Sequence, residues 1–252
     1  MRTPPLTTGL LTALGIGRGD VVSVVGAGGK TTLVYRLAAE ARSEGLRVLV
    51  TTTTHMGTLA EATTGPVLVE AESAIEHDLS RALAIEGRAT VLGRRVRPDK
   101  IEGLAPERVD ALAPAADLVL VEADGARGRS LKVPAPHEPV IPASTTQVIV
   151  VAALDVLGRP LDAANVHRLD LVCAATGAPE GAPVGPALVA AALVHPSSYP
   201  SRVRPGVRSG VFLNKADDEV AIAVAKMAAL LLPSYAYVAA GSARSGRVVV
   251  FP

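Results

Sequence analysis

Residues Val21–Thr32 read VVSVVGAGGKTT, an apolar run that enters a glycine-rich turn and ends in Lys-Thr-Thr. A loop that binds polyphosphate needs a turn with few Cβ atoms, so that backbone N–H groups can converge on the oxygens. It also needs a following helix whose positive dipole end faces them. The apolar run is typical of a buried strand, and Leu33, Leu37 and Ala41 recur at helical spacing after the turn. The stretch therefore predicts a phosphate-binding loop between a strand and a helix.

The match to the phosphate-loop pattern G-x-x-x-x-G-K-[ST] is incomplete. Its first glycine would fall at Val24, whereas the second half, Gly29-Lys30-Thr31, is intact. Two other interpretations compete: a tight strand-to-helix turn with an incidental lysine, and a dinucleotide-binding turn. A G-x-G-x-x-G pattern that starts at Gly26 requires a glycine where this chain has Thr31, so the phosphate loop is favoured.

Each residue of this loop has an expected role. Gly26, Gly28 and Gly29 form the turn, and Lys30 is expected to reach the β- and γ-phosphates as a point charge. The Thr31 hydroxyl is expected to ligate the Mg²⁺ that nucleotide phosphates carry. The nucleotide is thus expected to contact the whole loop: Gly26, Ala27, Gly28, Gly29, Lys30, Thr31 and Thr32.

The composition is that of a globular protein without a polyanionic partner. Apolar residues make up 49% and charged residues 19% of the 252, which is an ordinary balance for a folded core. The formal net charge of +1 gives no global attraction to nucleic acid or to an anionic membrane. With no Trp and two Phe, stacking on bases is excluded as a main mode of binding. We expect neither nucleic acid nor a membrane as partner.

The cysteine count and the N-terminus indicate where the protein works. Cys173 is the single cysteine, so an internal disulfide and a cysteine-based metal cluster are excluded, and a reducing compartment fits. The segment Leu6–Gly15 is too short and too rich in threonine for an export signal. Since no run of about 20 apolar residues could span a bilayer, we expect a cytoplasmic protein.

Apolar, β-branched runs alternate with stretches of helical periodicity along the chain. The alternation predicts a mostly parallel sheet covered on both faces, in a single doubly wound α/β domain of P-loop NTPase type over residues 1–252. Ligands of such sheets lie beyond the carboxyl ends of the strands. The predicted strands, all interpreted as buried and parallel, are Val21–Val25, Arg47–Thr52, Thr90–Leu92, Asp117–Glu122, Val148–Ala153, Gly210–Asn214, Tyr235–Ala240 and Arg247–Phe251. The predicted helices are Thr31–Glu44, Ser73–Glu86, Pro106–Ala113, Pro186–Val194 and Asp218–Leu232.

Two carboxylates follow the apolar run Asp117–Val121: Glu122 comes first and Asp124 lies two residues on. In phosphate-loop enzymes a carboxylate in this position orients a metal-bound water or the attacking water. In an extended chain both side chains point to the same side, which suits a shared metal. We therefore expect Lys30, Glu122 and Asp124 to be catalytic. Thr31, Glu122 and Asp124 are expected to hold Mg²⁺, with a solvated strand end or a helix cap as the alternative.

A long irregular loop, Gly125–Pro142, follows these carboxylates. Such a segment is either functional or a surface excursion. Its basic residues Arg127, Arg129 and Lys132 fit two roles equally well: binding phosphate or another anion, or forming a solvated face. His137 is interpreted as a hydrogen-bonded loop residue, because no second histidine lies at ligand spacing nearby.

A second motif, Asn214-Lys215-Ala216-Asp217, ends the predicted strand that begins at Gly210. It is similar to the guanine-specificity motif of GTPases, in which a carboxylate accepts from the guanine ring N–H and amino group, a pair of donors that adenine lacks. Asn214 is expected to bond the base or to brace the loop, and the Lys215 stem to cover the ring face. A helix entry with Asp217 as its cap is the alternative.

Two further strand ends carry weaker signals. Ser242 and Ala243 follow the strand Tyr235–Ala240 and resemble the short backbone contact that GTPases make to the guanine oxygen. They join Asn214, Lys215 and Asp217 as expected nucleotide-binding residues. The run Thr51–His55 follows the second strand, where its hydroxyls suit metal or substrate contact, although threonine runs also simply favour strands.

Together these motifs resemble the YqeC-like family of selenium-dependent hydroxylase accessory proteins. The resemblance implies a P-loop nucleotide-binding fold and a role in maturing molybdenum hydroxylases or their selenium-containing cofactor. The phosphate loop is similar in layout to that of the maturation GTPases that help to load nickel or cobalamin into enzymes. The resemblance spans most of the chain and is carried by Gly26–Thr32, Thr51–His55, Val121–Ala126, Leu131-Lys132, His137–Pro142 and Asn214-Lys215-x-Asp217.

The residues and the resemblance lead to one hypothesis and two alternatives. We expect a Mg²⁺-dependent nucleoside triphosphate hydrolase that prefers GTP over ATP and couples hydrolysis to the assembly or delivery of a hydroxylase cofactor, with a client protein as partner. The first alternative is an ATP-dependent kinase or ligase that acts on a small cofactor precursor. The second is a nucleotide-sensing scaffold that binds without turnover. One fold can support all three.

Overall fold

A central sheet runs through the molecule, and helices cover both of its faces. A computed structural model describes residues 7–57, 65–72, 74–97 and 100–251. The strands in these residues are β1 (Thr7–Thr8), β2 (Val21–Gly26), β3 (Val48–Thr52), β4 (Met56–Gly57), β5 (Val67–Val69), β6 (Arg88–Leu92), β7 (Arg95–Arg97), β8 (Lys100–Ile101), β9 (Leu118–Glu122), β10 (Leu131–Lys132), β11 (Gln147–Ala153), β12 (Val166–His167), β13 (Arg208–Asn214), β14 (Tyr237–Gly241) and β15 (Arg247–Phe251). The α-helices are α1 (Leu10–Ala13), α2 (Lys30–Ser43), α3 (Ile75–Glu86), α4 (Pro106–Leu112), α5 (Leu169–Thr176), α6 (Pro186–Val194) and α7 (Glu219–Ala229).

Ten of the described strands form the main sheet, in the order β1-β15-β14-β13-β11-β2-β9-β3-β6-β5. From β14 to β5 every neighbouring pair is parallel, and β15 and β1 add an antiparallel edge. The expected doubly wound, mostly parallel α/β fold is therefore confirmed. Because these strands are parallel, the carboxyl ends of β2, β9, β11 and β13 meet at one edge of the sheet.

The prediction of a parallel strand over Arg247–Phe251 is wrong. This strand, β15, pairs antiparallel with β14, with Val238 opposite Phe251. Only residues 242–246 separate the two strands, and a connection this short can form a hairpin but not the crossover that a parallel pair needs. The elements that were not predicted are the helices α1 and α5 and the strands β1, β4, β5, β7, β8, β10 and β12. The predicted helix start at Ser73, and Leu6 at the N-terminus, lie outside the described residues.

Alternate residues of the buried strands pack on opposite faces of the sheet. In β2, Val21 and Val25 belong to the core on the side of α3 to α7. Val22 and Val24 belong to the core on the side of α1 and α2. Because helices cover both faces, the strands are predominantly apolar, and apolar and polar residues do not alternate along them. This double burial leaves the strand ends as the places where polar side chains can gather.

A separate two-stranded parallel sheet positions the loop that follows β9. Leu131 of β10 pairs with Val166 of β12, and Lys132 pairs with His167. Because the pairing is parallel, the segment that precedes β10, which includes Arg127, lies beside the segment that precedes β12.

The described helices are all short relative to a bilayer. The longest, α2, has 14 residues, and no helix in the described ranges is long and apolar enough to cross a membrane.

Candidate functional site

The loop between β2 and α2 requires glycine. Gly26, Gly28 and Gly29 have φ values of 97°, 89° and 112°, in the left-handed region that side chains disfavour. A Cβ on Gly26 would lie 2.2 Å from the Val151 carbonyl oxygen, and one on Gly28 would lie 2.3 Å from the Cβ of Ala153. The loop backbone thus approaches β11 too closely to admit a side chain at either position.

The start of α2 presents unpaired backbone N–H groups beside this loop. The helix begins at Lys30, with Gly29 as its N-cap residue and no side chain capping it. In the part of the chain that the structure describes, the N–H groups of Lys30, Thr31 and Thr32 have no hydrogen-bond acceptor, as is usual for the first turn of a helix. Together with the positive end of the helix dipole, these groups favour an anion at this position.

Lys30 lies beneath the loop with only 4% of its surface exposed. Its Nζ donates a hydrogen bond to the Gly26 carbonyl oxygen at 2.8 Å. The same Nζ lies 3.2 Å from Asp124 Oδ1 and 3.6 Å from Glu122 Oε1. The two carboxylates that follow the β9 run therefore converge at the ammonium group of the loop lysine.

Asp124 fastens the loop to the protein interior. It has no exposed surface, and its two oxygens accept from the Gly26 N–H at 3.0 and 3.1 Å. Oδ2 also accepts from the Tyr199 hydroxyl at 3.1 Å and lies 3.0 Å from Lys132 Nζ. Burial and the nearby negative charge raise the pKa of Tyr199 well above 10.0, so the phenol keeps its proton and donates. With its oxygens engaged by protein donors, Asp124 does not fit the expected role of a Mg²⁺ ligand.

Glu122, the last residue of β9, keeps 13% of its side chain exposed. Its Oε2 accepts a hydrogen bond from the Thr31 hydroxyl at 2.8 Å, and both residues line an open cleft. Burial raises the pKa of Glu122 and the charge of Asp124 adds to the rise, while the charge of Lys30 and the Thr31 hydrogen bond oppose it. Thr31 and Glu122 are therefore side chains at the loop that a ligand in the cleft can reach.

A series of ion pairs connects Asp124 with the cleft. Lys132, whose side chain is fully buried, lies 3.0 Å from Asp124 Oδ2 and 2.9 Å from Glu138 Oε2. Arg168 donates from Nη2 to Glu138 Oε1 at 2.9 Å. Burial alone would raise the pKa of Glu138, but the hydrogen bonds from Arg168 and Lys132 and the Lys132 charge outweigh it and lower the pKa to about 2. Lys132 therefore belongs to the interior and not to a solvated face.

Asn214, at the end of β13, braces the loop from the other side. Its Nδ2 donates to the Gly28 carbonyl oxygen at 2.7 Å, and its Oδ1 accepts from the Ala243 N–H at 3.0 Å. A Cβ on Gly29 would lie 2.4 Å from the same Nδ2. Of the two roles expected for Asn214, these contacts match the bracing role.

Of the remaining motif residues after β13, Lys215 and Asp217 are exposed and Ala216 is buried. Lys215, at φ 59°, donates to Asp155 Oδ2 at 2.6 Å. Asp217 is exposed and has no hydrogen bond or ion pair to any described residue. The helix cap is Asp218, whose side chain accepts from the Ala221 N–H at 2.8 Å. The alternative prediction, that Asp217 caps the helix that follows, is therefore wrong.

Ser242 and Ala243 form the start of the turn between β14 and β15. Ser242 is buried, and its N–H donates to the Arg247 carbonyl oxygen at 2.9 Å. The Ala243 N–H donates to Asn214. Both backbone donors are thus already engaged within the protein.

The threonine run after β3 divides between structural contacts and the cleft. The hydroxyls of Thr51, Thr52 and Thr53 donate to main-chain oxygens of neighbouring segments, at 2.7, 2.8 and 2.6 Å. Thr54 and His55, farther along, line the cleft. The end of β3 therefore contributes to the wall of the cleft through its last two polar residues.

A cleft of about 980 Å³ lies beside Thr31 and Glu122. We call it the basic cleft, because Arg127, Arg129 and Arg168 line it. His137, which is exposed, does not line it.

The side chains at the loop fit a metal ion that takes most of its ligands from the phosphate groups of a nucleotide. In the described ranges no three or more His, Cys, Asp or Glu residues form a metal-binding group. Mg²⁺ in nucleotide sites keeps most of its ligands from phosphates and water and needs few protein oxygens. The Thr31 hydroxyl and the Glu122 carboxylate, 2.8 Å apart, are the side-chain oxygens that fit this need.

Comparisons with known proteins identify the family. A family model described as "YqeC protein" matches residues 22–170. The Escherichia coli (strain K12) protein named "Uncharacterized protein YqeC" is 37% identical over 200 residues, which are 79% of this chain and 77% of that protein. The chain belongs to the YqeC family. The YqeC match includes the glycine loop, both β9 carboxylates and the residues that line the basic cleft, whereas the motif at Asn214–Asp217 lies beyond it.

Similarity to solved structures is weaker. The YqeC chain matches the structure of chloroplast FtsY from Physcomitrella patens with a TM-score of 0.43 and 18% identity, over 93% of this chain and 63% of that one. It matches the signal recognition particle receptor FtsY from Elizabethkingia anophelis with a TM-score of 0.43 and 16% identity, over 93% and 61%. The chain thus spans less than two thirds of the length of either structure.

The sequence did not indicate the contacts that three residues make in the buried network. Tyr199 lies 75 residues from Asp124 in sequence, and Arg168 lies 30 from Glu138, so no local spacing pattern connects them. Glu138 does lie within the segment His137–Pro142, which carries part of the family resemblance. The family resemblance could therefore have drawn attention to Glu138, but it does not indicate which residues Glu138 contacts.

Proposed function

We propose that this YqeC-family protein is a Mg²⁺-dependent nucleoside triphosphatase that prefers GTP. The observation that carries the proposal is the loop itself. Its glycines leave no room for a Cβ, unpaired N–H groups follow at the start of α2, and the buried ammonium of Lys30 lies beneath. Backbone donors, a helix terminus and a fixed cation in one place suit a polyphosphate.

The proposed roles follow from the contacts of each side chain. Lys30 and the loop N–H groups stabilise phosphate charge as donors that are already held in place, with Asp124 fixing the lysine. Bound Mg²⁺ would supply further positive charge to the phosphate oxygens, with the Thr31 hydroxyl as its ligand. Glu122 positions that hydroxyl through its hydrogen bond and orients a water that enters from the basic cleft.

The proposed preference for GTP rests on Asp217. Its carboxylate is exposed and has no partner among the described residues, three residues after the Asn214 that braces the loop. A free carboxylate in this position can accept from the paired donors of guanine, and adenine has no matching pair.

The proposed biological role is accessory: nucleotide hydrolysis would support maturation of molybdenum hydroxylases or of their selenium-containing cofactor, through a client protein. It rests on the family resemblance of the motifs. We propose further that residues 1–252 act as one domain in the cytoplasm.

Two adjacent threonines provide the test of nucleotide binding. Thr31→Ala removes the hydroxyl that contacts Glu122, whereas Thr32→Ala removes an exposed hydroxyl and keeps the backbone N–H. In a fluorescence titration with labelled GTP and Mg²⁺, Thr31→Ala should weaken binding about tenfold and Thr32→Ala should bind like the wild type. Absence of Mg²⁺-dependent binding by the wild type would overturn the proposal.

A second candidate, phosphoryl transfer to a small cofactor precursor, is favoured by one specific observation: the basic cleft lies directly beside Thr31 and Glu122. Measurement of phosphate release without any added small molecule separates the two candidates. Steady release supports the hydrolase, and release that requires an acceptor supports the transferase.

A further inference from the structure

The basic cleft contains positive charge that the surrounding ion pairs do not balance. The buried network that reaches it is neutral, because its three cations face three carboxylates. Arg127 and Arg129 stand outside this network and also line the cleft. The network consists of Lys30, Lys132 and Arg168 with Glu122, Asp124 and Glu138.

The two extra guanidinium groups are available to a ligand. Among the described residues, neither the Arg127 nor the Arg129 side chain has a hydrogen-bond or ion-pair partner, although Arg129 is partly buried. Other arginines are committed: Arg47 pairs with Asp117, for example. A guanidinium in a concave site without an acceptor is suited to bidentate contact with an oxyanion.

Backbone strain is concentrated at the same cleft. Arg127 and Arg168 have φ values of 47° and 60°, in the left-handed region, although neither is glycine. Such conformations persist where the surroundings fix them, and they cluster at binding sites. In Arg168 the ion pair with Glu138 holds the side chain in place.

The electrostatics of a neighbouring histidine agree with this charge excess. Burial lowers the pKa of His167, and the positive charges of Lys132, Arg168 and Arg127 lower it further against the opposing charge of Glu138. His167 lines the cleft and is neutral at physiological pH, so it can serve as a hydrogen-bonding group.

The cleft lies on the opposite side of the loop from the base-side motif. In the sheet, β9 and β3 flank β2 on one side, and β11 and β13 lie on the other. Glu122, at the end of β9, lines the cleft together with Thr54 and His55, which follow β3, whereas Asn214 and Asp217 do not. A nucleotide whose base lies near Asp217 therefore leaves the part of the cleft around Arg127 and Arg129 to another molecule.

We propose that the basic cleft binds the phosphate group of a second substrate, a small phosphate monoester, beside Thr31 and Glu122. This inference rests on the proposed function, because it takes the loop to be filled by the nucleotide. The doubly charged monoester matches the two unbalanced guanidinium groups of Arg127 and Arg129. The volume of about 980 Å³ accommodates a small molecule in addition to its phosphate group.

The test uses inorganic phosphate as the probe on protein whose loop is already occupied. Wild type is first saturated with Mg²⁺ and the non-hydrolysable analogue guanosine 5′-(β,γ-imido)triphosphate, and this binding step is measured by calorimetry. Inorganic phosphate is then titrated into the complex, and the double variant Arg127→Ala/Arg129→Ala is treated in the same way. Arg81→Ala is the matched control, because Arg81 is exposed on α3 and does not line the cleft.

Wild type and Arg81→Ala should bind phosphate equally, and the double variant should bind it about tenfold or more weakly while its affinity for the analogue stays unchanged. If the analogue binds and phosphate does not, or if the double variant binds phosphate like the wild type, the inference is overturned and the proposed function stands. A double variant that loses affinity for the analogue instead assigns these arginines to the nucleotide and also overturns the inference. If the wild type fails to bind the analogue at the first step, the proposed function fails, and the inference fails with it.

Discussion

The ends of β9 and β13 approach the glycine loop from opposite sides, and the carboxylates that follow them differ in burial and in hydrogen bonding. After β9, Asp124 is fully buried, and its oxygens are engaged by the loop N–H, by Tyr199 and by two lysines. After β13, Asn214 contacts the loop, while Asp217 is exposed and has no partner among the described residues. One strand end belongs to the interior, and the other forms a surface.

The difference shows that a carboxylate after a strand is not by itself a catalytic or ligand-binding group. The motif after β9 led to the expectation that Asp124 holds Mg²⁺, yet its oxygens are engaged within the protein. Glu122, two residues earlier, has a partly exposed side chain that accepts a hydrogen bond from the Thr31 hydroxyl. Burial and existing partners decide which carboxylate is left for a ligand.

The largest expected effect comes from removing one of two lysines: Lys132, which contacts the buried Asp124, or Lys215, which directly follows β13. Lys132→Met removes the buried cation that Asp124 and Glu138 share, which leaves the three carboxylates of the network with two cations, and it should lower the free energy of unfolding by about 3–5 kcal/mol. Lys215→Met breaks a half-exposed pair with Asp155 and should cost less than about 1 kcal/mol. Urea denaturation of both variants is the measurement, and equal losses would contradict the distinction between an interior and a surface strand end.

The next expected effect is a pH dependence on the β9 side. The pKa of Glu138 in the folded state is about 2, below its ordinary value of 4.5, so its charged form stabilises the fold. This contribution is fully present above pH 4.5 and is lost as the pH falls towards 2. The difference in unfolding free energy between the wild type and Glu138→Gln should therefore shrink with acidification over this window.

Acid titration of the same pair of proteins, followed by circular dichroism in urea, measures that difference. A difference that stays constant from pH 6 down to the acid limit would show that the Glu138 charge is not held by Lys132 and Arg168.

A smaller effect is expected at Tyr199. Tyr199→Phe removes the hydroxyl that donates to Asp124 while the ring stays buried, and it should cost about 1 kcal/mol of unfolding free energy. The loop keeps its direct bond between Asp124 and the Gly26 N–H, so GTP affinity should change little. If Tyr199→Phe lowered the affinity for GTP without lowering the free energy of unfolding, Tyr199 would belong to the binding site and would not act by supporting the loop.

Much of the fold could be predicted from sequence because it depends on local periodicity. The strands β2, β3, β9, β11 and β13 lie close to their predicted positions, since apolar runs of this length are buried on both faces. The direction of β15 could have been predicted from the five-residue link before Arg247. Short elements such as α1, with four residues, have too few periods to give a pattern.

The candidate site was only partly predictable, for a different physical reason. Sequence indicated which residues approach the loop, because strand ends of a parallel sheet share an edge. It could not indicate that Asp124 is satisfied by Tyr199 and Lys132, or that Asn214 is used as a brace, because those contacts depend on side-chain burial between distant segments. The basic cleft likewise depends on the pairing of β10 with β12.

The central claim, that the buried carboxylate after β9 supports the loop while the exposed carboxylate after β13 selects the base, is tested most directly by two neighbouring aspartates. Asp217→Ala removes the exposed carboxylate, and Asp218→Ala removes the cap of α7. The affinities for Mg²⁺-GTP and Mg²⁺-ATP and the free energy of unfolding are measured for both variants and the wild type. We predict that Asp217→Ala abolishes the preference for GTP without a change in stability, and that Asp218→Ala costs about 1 kcal/mol and keeps the preference. Equal affinity of the wild type for GTP and ATP, unchanged by Asp217→Ala, would contradict the account.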